Sequence, residues 1–282
     1  LIFHNDPLSL RGSMSLKERE NIINECDKVI FISSWIQQRF FTSFKNVNLS
    51  RTLVITHGIN KIPKINLTKK EKNILFVGKL NHAKGYHIFS EAASRFKKID
   101  PSWNFIAIGN EARKEIFPDK TIVKEIGYKK NSDVLKYYSA SEIAIGNSVW
   151  DEPLGRIAIE ASSRMCLPII SNKGGLAESK NIALVLKENT SSELVNILKK
   201  ITKNNSIRRQ KQKLFYKNNN FNIKFISKQL DNVRSEIIKN QNKIHFSNNK
   251  RILHIANFNE NSDGRLYYSF ANKLNNGFIK NN

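Results

Sequence analysis

Residues 148–178, SVWDEPLGRIAIEASSRMCLPIISNKGGLAE, decide the fold. They form a strand-to-helix corner, with Glu152 and Glu160 eight positions apart across a Pro-Leu-Gly turn. A second strand, LPIIS, follows, and then the glycine pair Gly174 and Gly175. The same alternation holds outward in both directions. Apolar runs of strand length stand at residues 28–33 (KVIFIS), 52–56, 73–78 (NILFVG), 104–109, 121–127, 143–146 and 182–186. Amphipathic segments such as YHIFSEAASRFKKI and SDVLKYYSA lie between them, the second with Ser132 as its expected N-cap. Strand and helix in regular alternation mean an α/β fold with a mainly parallel sheet, Rossmann-like in kind. Ligands of such sheets sit beyond the carboxyl ends of the strands, and the glutamate corner lies at one of them.

The chemistry of WDEPLGRIAIE starts from its helix. Asp151 or Glu152 is expected to cap it, with Pro153 in the first helical position, where a missing N–H costs nothing. The free amides of Leu154, Gly155 and Arg156 would then form a phosphate seat. With Glu152 at that start, Glu160 would lie about 12 Å along the axis and be rotated by about 80°. Two carboxylates flanking a phosphate seat suit a diphosphate with vicinal hydroxyls on both sides, which is the make-up of a nucleotide sugar. An N-cap plus one exposed helical glutamate is the plainer reading. A second segment, ILFVGKLNHAKGYHIFSEA, places Lys79 and Lys84 five positions apart in a strand-to-helix loop, where two ammonium groups can clamp a diphosphate from the other side.

The chain has 282 residues with 47 Lys and Arg against 24 Asp and Glu, a net charge of +23. This charge has two readings. It suits polyanions or an anionic membrane leaflet, or it reflects a drift toward Lys, Asn and Ile that charges every solvated face. The basic residues are spread out rather than clustered, which favours the second reading. Cys26 and Cys166 belong to no metal-binding cluster and fit a reducing, cytoplasmic compartment. No apolar run approaches the ~18 residues of a membrane span. Nor does any helix-turn-helix, zinc or RNP-type motif support a nucleic-acid-binding protein.

Together VGKL…AKG, IGYKKNSDVLKYYSASEIAIGNS, EPLGRIAIE and GGLAE, over residues 73–178, resemble the retaining glycosyltransferases of the GT-B fold, family 4 or group 1 type. Upstream, LIFHNDPLSLRGSMSLKERENIINECDKVIFISSWIQQRFF and LVITHGINK resemble the last third of that family's N-terminal domain. The resemblance implies a hexosyltransferase of glycan biosynthesis. It would move a sugar from a nucleotide-diphosphate sugar to a glycan, lipid-linked or cell-surface polysaccharide acceptor, with retention and without metal or other cofactor. It would act in the cytoplasm or peripherally at the inner face of the membrane, with no nucleic acid as partner.

The resemblance also implies residue roles. Lys79, where the family usually has Arg, and Lys84 would contact the donor diphosphate. Glu152 would hold the donor sugar's hydroxyls and Glu160 the ribose hydroxyls. Gly127 and Tyr128 sit where the nucleoside base is cradled. His4, Asn5 and Asp6 occupy the acceptor-side loop. Glu152, Lys84 and Lys79 form the expected catalytic set, in which the helix start and the lysines replace a divalent cation for the departing diphosphate. SSRMCLPII departs from the family pattern by lacking the usual Gly before its strand. A same-fold nucleotide-sugar epimerase is the alternative activity.

The expected domains are residues 1–66, the end of a truncated acceptor-side Rossmann-like domain plus linker; 67–240, the donor-binding domain with C-terminal helices; and 241–282, a linker and the start of a further transferase-like domain. Residues 60–73 read as the linker, and the opening LIF reads as a strand already under way, so the chain is expected to be a piece of a longer protein.

Overall fold

A computed structural model describes residues 1–9, 13–60, 65–110 and 122–241. The expected strand–helix alternation is present. The chain opens with β1 (Ile2–Phe3), α1 (Leu16–Glu25), β2 (Val29–Phe31), α2 (Ser34–Phe40) and β3 (Thr52–Val54). After a 3-10 turn at Leu67–Lys69 come β4 (Glu71–Val77), α3 (Tyr86–Lys97), β5 (Asn104–Ile108), β6 (Val123–Glu125), α4 (Asn131–Ala140) and β7 (Ser141–Gly146). Then follow α5 (Arg156–Ser162), β8 (Leu167–Ser171), a 3-10 segment at Gly174–Asn181 and β9 (Leu184–Leu186). The helical run after Thr190 is α6 (Ser191–Lys203), α7 (Asn205–Asn218) and α8 (Ile223–Gln241).

All strand pairs are parallel. They form a three-stranded sheet ordered β1-β2-β3 and a six-stranded sheet ordered β6-β5-β4-β7-β8-β9. The larger order is that of a doubly wound fold, whose winding reverses between β4 and β7. Alternation along β4 serves both faces of that sheet. Ile74 and Phe76 pack with Phe89 and Phe96 of α3 and Leu194 and Leu198 of α6, while Leu75 packs with Val134 and Tyr138 of α4. The last helix leaves this sheet. Ile226, Leu230, Val233 and Ile237 form one stripe of α8 and pack on Ile30, Leu53 and Ile55 of the smaller sheet.

Leu1–Ile237 forms one compact unit, and a second unit runs from Ile238. The expected further domain at 241–282 lies outside the described residues, save Gln241 at the end of α8. The stretch read as a linker, residues 60–73, is structured over its second half, because β4 already begins at Glu71. Lys70 explains why. Its side chain is buried, and its ammonium donates to the carbonyls of Tyr138, Ser139 and Ser141 at 2.8–3.0 Å, closing the end of α4. Ser132 does not cap α4, whose N-cap is Lys130. Another buried ion cluster ties α7 to the sheet: Glu142 of β7 meets Arg208 at 3.2 Å and Arg209 at 2.6 Å, and Gln212 donates to it at 2.9 Å.

The turn between α5 and β8, where the sequence lacks a glycine, keeps the glycine geometry. Met165 has φ +49°, its amide donates to Ser162 and the Cys166 amide donates to Ala161, the paired bonds of a left-handed helix ending. A side chain in that conformation is strained by roughly 1 kcal/mol. Met165→Gly is therefore expected to raise the melting temperature by about 2 °C. A lower value would mean that packing of the half-buried Met165 side chain outweighs the strain.

Candidate active site

The reversal at β4 and β7 sets two loops side by side, residues 78–85 after β4 and residues 147–155 after β7. Between them opens a cleft of about 360 Å³, lined among others by Gly78, Lys84, Ser148, Glu152, Leu154, Gly155, Arg156 and Glu160. Lys84 Nζ lies 3.0 Å from Glu152 Oε1 and 5.3 Å from the centre of the Trp150 ring. The Ser148 hydroxyl donates to the same Glu152 oxygen. The Lys84 amide donates to Asn81 Oδ1 at 3.0 Å, which fixes the backbone of its loop.

The helix start differs from expectation. Neither Asp151 nor Glu152 caps α5, and Pro153 is not its first residue: the N-cap is Gly155, at φ +70°, and the helix begins at Arg156. Glu152 therefore belongs to the loop, and its separation from Glu160 is not set by one helix axis. The reason lies in the glycine pair. The Gly175 amide donates to Glu152 O at 2.7 Å, and a Cβ on Gly175 would stand 2.2 Å from Pro153 O. Only glycine lets the 3-10 segment press on this loop and hold residues 151–154 out of the helix. Of the three residues expected to form a phosphate seat, Gly155 and Arg156 stand at the helix start and Leu154 precedes it; all three line the cleft.

Glu160, 7% exposed, forms the inner wall. Arg156 Nη2 lies 2.7 Å from its Oε1, and Asn131 Nδ2 donates to that oxygen at 3.2 Å. Burial pushes its carboxyl above the ordinary range, against the pull of Arg156 and Asn131. Of the other expected site residues, Lys79, Gly127, Tyr128, His4 and Asp6 do not line the cleft. Gly127 sits in a turn at φ +70°, and Tyr128 is 70% exposed. Asp6 is bound to Arg39, Nη2 to Oδ2 at 3.1 Å and Nε to Oδ1 at 3.2 Å, and accepts from the Leu8 amide at 2.9 Å. That arrangement anchors its loop to α2. His4 reaches the cleft at second hand, with its Nδ1 3.2 Å from Nε2 of His57, a cleft residue.

His57, Ser148, Asn131 and Tyr138 went unrecognised as site residues. The signal for His57 was its position just beyond the strand TLVIT, where ligand-facing loops begin. Among the described residues no group of three or more His, Cys, Asp or Glu side chains is placed to hold a metal ion. No helix among them is long and apolar enough to cross a membrane. Cys26 and Cys166 are both free thiols, and burial pushes that of Cys166 up to about 12.

The parallel sheet order and the cleft at its reversal fit the GT-B fold. The family model for glycosyl transferases group 1 matches residues 59–219, more than half of the chain, and the chain belongs to that family. It is 26% identical over 215 residues to spore coat protein SA of Bacillus subtilis strain 168, covering 64% of this chain and 56% of that protein's length. Among solved structures it resembles Anabaena HepE in complex with UDP, with TM-score 0.68, 18% identity, and coverage of 83% of this chain and 71% of that one. Sucrose-phosphate synthase from Thermosynechococcus elongatus is as similar, with TM-score 0.68, 18% identity, and coverage of 85% and 67%.

The histidine pair is a test of the site's electrostatics. Burial holds His4 below its ordinary value. Burial, then His4 and Arg156, takes His57 from 6.5 down to about 4. A His depressed in the folded state contributes stability that is complete above pH 6.5 and is lost as pH falls from there toward 4. The melting temperature should fall across that window, and fall less in His57→Asn. Equal slopes in the two proteins would show that His57 is not the group responsible.

Proposed function

We propose that the chain binds a nucleoside-diphosphate sugar in the β4–β7 cleft and serves transfer of that sugar, with retention and without a metal ion, to a glycan, lipid-linked or cell-surface polysaccharide acceptor. The observation that carries this reading is the Lys84–Glu152 ion pair at the start of α5, with Glu160 on the same wall. A diphosphate on the amides of Leu154, Gly155 and Arg156 competes with Glu152 for Lys84. As Lys84 turns to phosphate, Glu152 is released to accept hydrogen bonds from hydroxyls of the sugar. Donor arrival thus arms the sugar-binding carboxylate. Glu160 accepts from the ribose diol, and Lys79 is the outer charge of the clamp.

In the transfer step the bond between the anomeric carbon and the diphosphate oxygen breaks and the electron pair leaves with the diphosphate. Lys84, Arg156 and the helix-start amides stabilise that growing charge in the role a divalent cation plays elsewhere. The acceptor hydroxyl attacks from the same face and passes its proton to the departing phosphate oxygen, so no protein nucleophile is required. UDP in the HepE complex supports uridine diphosphate as the donor nucleotide to test first.

Calorimetric titration tests this reading. The 282-residue chain should bind UDP with and without EDTA. Glu160→Ala should weaken UDP and UDP-sugar alike by about 1–3 kcal/mol, the worth of a charged hydrogen bond. Glu152→Ala should leave UDP as tight or tighter, because Lys84 is freed, and weaken only the extra affinity given by the sugar. Loss of binding in EDTA would overturn metal independence. Equal losses of UDP from both substitutions would overturn the division of roles.

A further inference from the structure

One buried group at the cleft is unused by these roles. Tyr138 of α4 is 0% exposed, yet it lines the cleft, and its hydroxyl has no hydrogen-bond partner among the described residues. Buried polar atoms are almost always paired, so one left open at a ligand cleft calls for an explanation. Its place supplies one. Asn131 and Tyr138 stand seven residues apart on α4, two turns along one face, and Asn131 already donates to Glu160. Burial, reinforced by the Glu160 carboxylate, pushes the Tyr138 phenol well above its ordinary value. It therefore stays protonated and is a standing donor.

The ribose diol has the complementary need. When its two hydroxyls donate to Glu160, their oxygens retain lone pairs, each able to accept from a donor on the wall formed by buried side chains. We propose that the Tyr138 hydroxyl is a specificity-determining contact that donates to an oxygen of the ribose diol bound by Glu160, so that the intact diol is read from both sides. This rests on the donor reading above, which places ribose at Glu160. In the ligand-free protein the hydroxyl is held in place at a cost to stability, and the nucleotide removes the mismatch.

Tyr138→Phe tests the inference, since it deletes the hydroxyl and leaves the ring packing intact. Without ligand, the variant should melt at or above the wild-type temperature, because removing an unpaired buried group does not destabilise. UDP binding should weaken about 2- to 13-fold, the usual worth of one such bond. The weakening should vanish for one of 2′-deoxy-UDP and 3′-deoxy-UDP, the analogue that lacks the partner oxygen. A lower melting temperature for the variant, unchanged UDP affinity, or an equal penalty with UDP and both analogues would each overturn the proposal. Wild-type protein that binds neither UDP nor another nucleoside diphosphate would instead overturn the donor reading, and the Tyr138 contact with it.

Discussion

The winding of the six-stranded sheet reverses between β4 and β7, and everything at the cleft follows from that reversal. Helix α3, which follows β4, packs on one face of the sheet, and α5, which follows β7, packs beside α4 on the other, so the loops leaving adjacent strands β4 and β7 diverge and leave a crevice at their carboxyl ends. Lys84 comes from one loop and Glu152 from the other, 68 residues later in the chain. Their 3.0 Å contact is a product of topology rather than of local sequence. A different strand order would leave both residue types in the chain and no site.

The loop after β7 is also where the smaller sheet is attached. Ser33, at the end of β2, donates to Pro153 O at 2.5 Å, and Arg164 Nη1 donates to Asn60 O at 2.6 Å. Glu178, at the far end of the glycine-pair segment, accepts from the amides of Ser34 at 3.1 Å and Trp35 at 2.5 Å at the start of α2. The stretch from Ser148 to Glu178 thus has two tasks. Its glutamates and amides face the cleft, and its other polar groups hold β2, α2 and the chain beyond β3 in register with it. Paired carboxylates followed by glycines make sense on this footing. Gly175 fixes the loop that carries Glu152, and within the same 3-10 segment Glu178 accepts from the first amides of α2, whose N-cap is Ser33.

Much of this was legible in the chain. Alternating apolar runs gave every strand of the larger sheet, because buried parallel strands are nearly all apolar and set between helices of their own period. That Lys84 and Glu160 would lie near a strand's carboxyl end was readable, because each follows an apolar strand run, and both line the cleft. Other features depended on contacts across the chain. Asp151 and Pro153 look like a helix start on local grounds, yet contact with Gly174 and Gly175 keeps them in a loop. Lys70 looked like linker because a lysine in a polar run reads as solvated, and only the open carbonyls at the end of α4 explain its burial. Tyr138 had the spacing of an ordinary core aromatic, and nothing in the chain marks its hydroxyl as unpaired.

Diphosphate binding at the start of α5 is expected to take Lys84 from Glu152. A crystal structure of the chain with UDP tests it most directly. Phosphate oxygens should lie within hydrogen-bond distance of the Leu154, Gly155 and Arg156 amides, with Lys84 Nζ moved onto them and Glu152 left facing the space beyond the second phosphate. Phosphates bound elsewhere, with the Lys84–Glu152 pair still at 3.0 Å, would contradict it.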